Sequence, residues 1–297
     1  MTIMGRPIEI VVASGKGGTG KTTFSAFLIS FFAERGIGVV GVDADVEAPD
    51  LLLALGGAEE EYREDVYDSQ VAVIDYDNCV SCGICFDSCR YEAIEWRNGP
   101  IVINEMCEGC GLCSMLCPVG AINVKTIKTG SIVFGKTKYC DVVTGELEVG
   151  RKHSGRLVEI IKNKARKFDP SYVVVDAAAG TGCPVISSIS GSDFLVVVVE
   201  PTQYSIRTAS KIVEIGKIFG VRMGVVINKY DMNRSFLNHI HEWASKLGIE
   251  ILGEIPFDES VIRAYSEMRS LMDFAPDSQA ARSMRRAAER LLVMLNG

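Results

Sequence analysis

Eight of the ten cysteines in this 297-residue chain fall between Cys79 and Cys117. They form two copies of one run. Cys79, Cys82, Cys85 and Cys89 follow the pattern Cys-x2-Cys-x2-Cys-x3-Cys, and Cys107, Cys110, Cys113 and Cys117 repeat it, each copy closing on an Ala-Ile pair. Three closely spaced thiolates wrap one face of a [4Fe–4S] cubane, and in runs of this spacing the fourth cysteine ligates the other cluster. Crosswise pairing predicts one cluster on Cys79, Cys82, Cys85 and Cys117, and a second on Cys107, Cys110, Cys113 and Cys89. The competing chemistry is structural zinc. Zinc sites usually present two separated Cys-x2-Cys pairs, and a triple at threefold spacing fits tetrahedral zinc poorly. The copies differ after the fourth cysteine, where Arg90 stands in one and Pro118 in the other. Reduced thiols in such a cluster point to metal binding rather than disulfides.

A second constellation lies near the N-terminus. Gly15-Lys16-Gly17-Gly18-Thr19-Gly20-Lys21-Thr22 matches Gly-x4-Gly-Lys-[Ser/Thr] between an apolar run, Ile8–Ala13, and an amphipathic stretch from Lys21 to about Arg35. Glycines turn the backbone so that several N–H groups aim at phosphate oxygens, and the helix N-terminus adds partial positive charge. Lys21 would neutralise the β- and γ-phosphates of ATP, and the Thr22 hydroxyl would ligate Mg²⁺. Thr23, next along the chain, belongs to the same nucleotide-binding set.

These groups need elements to position them. Val39–Asp43, Tyr172–Asp176, Phe194–Glu200, Met223–Asn228 and Glu250–Pro256 read as buried strands, with helical patterns near residues 202–219, 235–247 and 278–295. Apolar strands alternating with helices predict an α/β fold with a doubly wound, mostly parallel sheet. The cysteine repeat interrupts it. The expected organisation is a P-loop domain of residues 1–70 and 127–297, carrying an inserted α+β ferredoxin-like domain at 71–126. Residues 127–150 are expected to form a hairpin returning the chain to the sheet. The net charge of −7 argues against nucleic acid as a partner. No apolar run reaches the roughly 18 residues that cross a bilayer, and the start of the chain lacks a secretory pattern. The expected location is cytoplasmic.

The Gly-Lys-Gly-Gly-Thr-Gly-Lys-Thr loop is similar to the deviant Walker A of the MinD/Mrp family of P-loop ATPases. Taken with the cysteine repeat, the chain resembles MinD-superfamily ATPases that contain an inserted two-cluster ferredoxin domain. The resemblance implies that Lys16 is a signature lysine reaching the partner's phosphates in an ATP-bound homodimer. It implies that Asp43 and Asp45 form switch I, with Asp45 orienting or activating the attacking water and Asp43 organising the switch and the magnesium surroundings. Asp176 then resembles the Walker B aspartate, also at the magnesium site. Ala177–Pro184 resembles switch II, and Asn228 and the Pro256-Phe257 turn resemble adenine-contacting positions. Lys16, Lys21 and Asp45 are accordingly the expected catalytic residues.

The implied function is an ATPase whose nucleotide-dependent dimer changes are coupled to electron transfer through the clusters, with a redox partner. Two alternatives stand beside it: assembly or delivery of iron–sulfur or other metal cofactors, and a positioning or scaffold ATPase with structural clusters. Cys183, inside the switch II stretch, is a candidate redox or metal residue, set against the commoner role of a lone cysteine as a small apolar side chain. Cys140 is weighed the same way. His153, His239 and His241 show no ligand pattern. The last helix, with Met284, Ala288, Leu291 and Leu295 at helical spacing, is expected to face the core rather than a membrane.

Overall fold

The computed structural model describes residues 6–152 and 154–296. The expectations for residues 1–5 and for His153 therefore lie outside the described residues. The chain divides into two compact units. The first comprises the residues up to Arg63, Ile132–Glu146, and Ser154 onward; the second comprises Glu64–Ser131 and the segment from Leu147. The second unit takes in all of 71–126 and a further stretch on each side.

A nine-stranded sheet organises the first unit. Its order is Glu250–Ile255, Arg222–Asn228, Phe194–Val199, Ile8–Ser14, Tyr172–Ala179, Val39–Ala44, Asp141–Leu147, Gly130–Lys136 and Glu60–Val66. The first seven strands pair in parallel. Strands such as Phe194–Val199, buried at every position, have apolar side chains on both faces because helices cover both. The strands Gly130–Lys136 and Asp141–Leu147 lie side by side, returning the chain to the sheet. Strand Glu60–Val66 was not foreseen: its sequence EEYREDV is exposed except at Val66, so it carries no apolar signal.

The helix Lys21–Glu34 is central. Phe24, Phe27, Leu28, Ile29, Phe31 and Phe32 are all buried, so it is apolar nearly all round rather than amphipathic. It touches the sheet and also the last helix, Gln279–Asn296. That last helix buries Met284, Ala288, Leu291 and Leu295 in the same core. Among the described residues no helix is long and apolar enough to cross a membrane.

One buried ionic cluster ties the first strand to a helix end. Lys162, buried on the helix Ser154–Arg166, donates to the carbonyls of Ser187, Ser188 and Ser190 at 3.0, 2.6 and 2.8 Å. These lie at the C-terminal end of the helix Cys183–Ile189. With its three protons so engaged, Lys162 pairs by charge with Glu9 Oε1 at 2.7 Å. Arg166 holds the other oxygen of Glu9, also at 2.7 Å. Burial lowers the Lys162 pKa against the pull of Glu9.

The second unit is built around the cysteine repeat. The two copies contribute short helices, Ile84–Ser88 and Leu112–Leu116, each entered through a glycine in the left-handed region (Gly83, φ 82°; Gly111, φ 74°). Two antiparallel pairs flank them: Ser69–Ile74 with Ile122–Ile127, and Ile94–Trp96 with Pro100–Val102. A small apolar core of Ala72, Ile74, Cys85, Ile94 and Ile122 packs against Cys79, Cys89, Cys107, Cys113 and Cys117.

Candidate functional site

The loop Gly15–Gly20 leaves the C-terminal end of strand Ile8–Ser14, whose neighbours on either side are Tyr172–Ala179 and Phe194–Val199. Chain order reverses there, which is where open parallel sheets place their ligands. Two glycines have stated reasons. Gly20 caps the helix at φ 89°, and a Cβ on it would fall 2.2 Å from the Asn228 amide nitrogen. A Cβ on Gly15 would fall 2.3 Å from the Thr208 side chain.

A cavity of about 560 Å³ opens over this loop, within the usual range for small-molecule sites. Gly17, Gly18, Thr19, Gly20, Lys21, Thr22 and Thr23 line it, with Asp45. Asn228, Pro256, Phe257, Ile262 and Tyr265 complete the lining and, apart from Asn228, make it more apolar. Asn228 is buried and donates to the Thr19 carbonyl at 2.7 Å, so it braces the loop from behind. A larger groove of about 1010 Å³ beside strand Glu250–Ile255 contains none of the phosphate-binding loop.

Charge is concentrated beneath the loop. Lys21 Nζ lies 3.2 Å from Asp176 and 4.0 Å from Asp45. Burial opposes its charge, but Asp176, Asp45 and Asp43 outweigh burial and raise its pKa. The Thr22 hydroxyl donates to Asp176 Oδ2 at 2.7 Å, and the Ser25 hydroxyl donates to Oδ1 at 2.8 Å. Asp43 and Asp176 are direct partners across the parallel strand pair, which brings two carboxyls to the same sheet end. Asp43 is fully buried and accepts from the backbone N–H of Asp45 (3.1 Å) and of Leu51 (2.7 Å). It therefore fastens the segment that carries Asp45. Burial, then the facing Asp176, push its pKa up to about 8. Burial also raises Asp45, against the pull of Lys21.

A raised carboxyl pKa means that the folded protein holds a proton that the unfolded chain releases. The stability Asp43 contributes is then full below about pH 3.8 and is lost as pH rises through about 8. In nucleotide- and metal-free protein the melting temperature is expected to fall between about pH 4 and pH 8 and to level off above that. Asp176→Asn, which removes the facing charge, should flatten that slope. Identical slopes in the two proteins would contradict the pairing.

Lys16 is placed differently. It does not line the cavity but forms an ion pair with Glu200, just past strand Phe194–Val199. Lys229 contacts the same carboxylate at 2.7 Å and donates to the Gly18 carbonyl at 2.8 Å. Burial would raise the Glu200 pKa, but the two lysines outweigh it and hold the carboxyl below its usual range. Sequence reading missed Glu200 and Lys229; an acid at the end of a buried apolar strand, one step before a proline, was the available signal.

The cysteines are gathered in two cavities of the second unit. Cys79, Cys82, Cys85 and Cys117 line one, with Val80, Ile84, Pro100, Val119 and Ile122. Cys89, Cys107, Cys110 and Cys113 line the other, with Arg90, Tyr91 and Glu108. Each cavity thus draws one cysteine from the opposite copy. Three sulfurs accept backbone N–H groups: Cys107 from Ala72 and Cys89 from Ala93, both at 3.4 Å, and Cys117 from Ala121 at 3.2 Å. Among the described residues, no group of three or more His, Cys, Asp or Glu side chains is arranged to hold a single metal ion.

Cys183 is exposed at the start of the helix Cys183–Ile189. Cys140 packs against the main core, and burial pushes its thiol up to about 12. His241 contacts Glu254 at 2.8 Å, and His239 stacks on Phe236.

A glycine-rich loop joining a buried parallel strand to a helix, with a lysine, a threonine hydroxyl and strand-end aspartates converging beneath it, defines a P-loop nucleotide-binding protein. The chain belongs to the CobQ/CobB/MinD/ParA nucleotide-binding-domain family, whose model matches residues 10–271. It is 32% identical to an uncharacterized protein of Methanocaldococcus jannaschii, over 98% of this chain and 99% of that one. Among solved structures it is similar in fold to the cell division ATPase MinD of Pyrococcus furiosus (TM-score 0.61, 17% identity, 97% of this chain and 99% of that one). It is likewise similar to the septum site-determining protein MinD of Pyrococcus horikoshii complexed with Mg-ADP (TM-score 0.60, 18% identity, 98% and 99%).

Proposed function

We propose that this protein binds and hydrolyses ATP as a nucleotide-dependent homodimer, and that nucleotide state is coupled to electron transfer through two [4Fe–4S] clusters in its cysteine-rich unit. The observation that carries the nucleotide half is the cavity in which Lys21, Thr22 and Asp45 converge on the glycine-rich loop. Thr22 and Asp176, already hydrogen-bonded to each other, are the residues that would hold Mg²⁺. Magnesium there would offset the charge of the phosphates. Asp45 would take the proton of the attacking water. The new bond joins that oxygen to the γ-phosphorus, the bond to the β–γ bridging oxygen breaks, and ADP and inorganic phosphate leave.

The cluster half is supported by the lining of the two cavities. Each offers four thiols and backbone N–H groups directed at sulfur, a donor set that suits [4Fe–4S] ligation. Each cluster, when bound, would take up or release one electron. Purification without oxygen, followed by iron and acid-labile sulfide analysis, tests this half. About eight irons and eight sulfides per chain are expected. Two zinc ions and no sulfide would overturn it and leave the positioning or scaffold reading in its place.

Lys16 is the proposed link between ATP and dimer formation. In the isolated chain Glu200 engages it, so dimerisation must break that pair. A partly exposed ion pair is worth about 1 kcal/mol and a homodimer breaks two of them, so Glu200→Gln is expected to tighten ATP-driven dimerisation roughly 30-fold. Sedimentation with a slowly hydrolysed ATP analogue checks this, and an unchanged or weakened dimer would contradict it.

A further inference from the structure

The two cysteine cavities are built from copies of one sequence, yet their surroundings differ. Apolar side chains line the cavity of Cys79, Cys82, Cys85 and Cys117, and no charged residue does so among the described residues. Arg90 lines the cavity of Cys89, Cys107, Cys110 and Cys113. Arg90 has no ion-pair partner among the described residues. The acid at the same cavity, Glu108, is engaged by Lys152 at 2.6 Å.

In the second set Cys89 and Cys107 each accept a backbone N–H at 3.4 Å, and in the first Cys117 accepts one at 3.2 Å. Enclosure differs in the same direction as charge. Cys85 of the first set is buried, whereas its counterpart Cys113 is only half-buried. A cubane held by four thiolates is an anion, and reduction makes it more negative. A nearby cation, N–H donors to sulfur and access to water all favour the reduced form and raise the potential.

Resting on the reading that both cavities hold [4Fe–4S] clusters, we propose that the two are unequal electron acceptors and that Arg90 makes the cluster on Cys89, Cys107, Cys110 and Cys113 the one reduced first. The step is a one-electron transfer from an external low-potential donor, with no bond made or broken in the protein. The cluster on Cys79, Cys82, Cys85 and Cys117 is the more strongly reducing of the two.

The test is a dithionite titration of anaerobically purified full-length protein, followed by low-temperature EPR. Two separate reduction waves are expected. Cys110→Ala should remove the upper wave and Cys82→Ala the lower; both side chains are exposed, so neither change opens the core. Arg90→Gln should move only the upper wave to lower potential, and Arg90→Lys should restore most of its position. A shift of both waves together, of the lower wave alone, or of neither, at a full iron count, overturns the role of Arg90 while leaving the clusters in place. Absence of iron and sulfide overturns the cluster reading itself, and this inference with it.

Discussion

Lys21→Ala is expected to weaken ATP binding by roughly 100-fold or more, the loss of a charge-assisted contact worth on the order of 3 kcal/mol. The effect is large because this lysine is buried at the base of the cavity with its ammonium facing three carboxyls. Removing it deletes the positive charge that meets the phosphates and leaves Asp45 and Asp176 without their cation beside them. Asp45→Ala is expected to behave in the opposite sense. Binding should stay within a few-fold, while turnover falls on the order of 100-fold to 10,000-fold for loss of a general base. Calorimetric titration with ATP and a phosphate-release assay separate the two. Normal hydrolysis by the Asp45→Ala protein would remove that residue from the reaction.

The second large effect concerns stability. Lys162→Met is expected to cost about 3–5 kcal/mol, because it leaves Glu9 buried with only Arg166 as a cation and strips the donor from three carbonyls. Pairing it with Glu9→Gln should recover part of the loss, since the uncompensated buried charge is then gone. Chemical denaturation of the single and double variants measures this. Equal losses in both would show that the carbonyl contacts, not the ion pair, carry the stability.

The phosphate-binding loop, the parallel strands around it and both cysteine runs were legible because each is a local pattern. Ile8–Ser14 and Phe194–Val199 are continuous apolar runs, and the loop is a fixed spacing of glycine, lysine and threonine. What sequence could not supply was adjacency across the sheet. Asp43 and Asp176 are far apart in the chain, and only the strand order makes them neighbours and raises the Asp43 pKa. The engagement of Lys16 by Glu200 and Lys229 has the same origin, since three separate strand ends must meet before it exists. Strand Glu60–Val66 and the 3₁₀ segment Tyr230–Phe236 were invisible for a different reason: both are mostly polar and exposed, so neither hydrophobic period appears.

The central claim is that occupancy of the nucleotide cavity is felt at the cysteine cavities. The most direct measurement is the rate of dithionite reduction and the midpoint potentials of the iron–sulfur signal in three matched samples: nucleotide-free, with Mg-ADP, and with ATP in an Asp45→Ala protein that retains it. A distinct rate or potential in the ATP sample, lost again in Lys21→Ala, is the predicted result. Identical behaviour in all three, with nucleotide demonstrably bound and the full complement of iron present, would contradict the coupling and leave a nucleotide switch and a cluster module that merely share a chain.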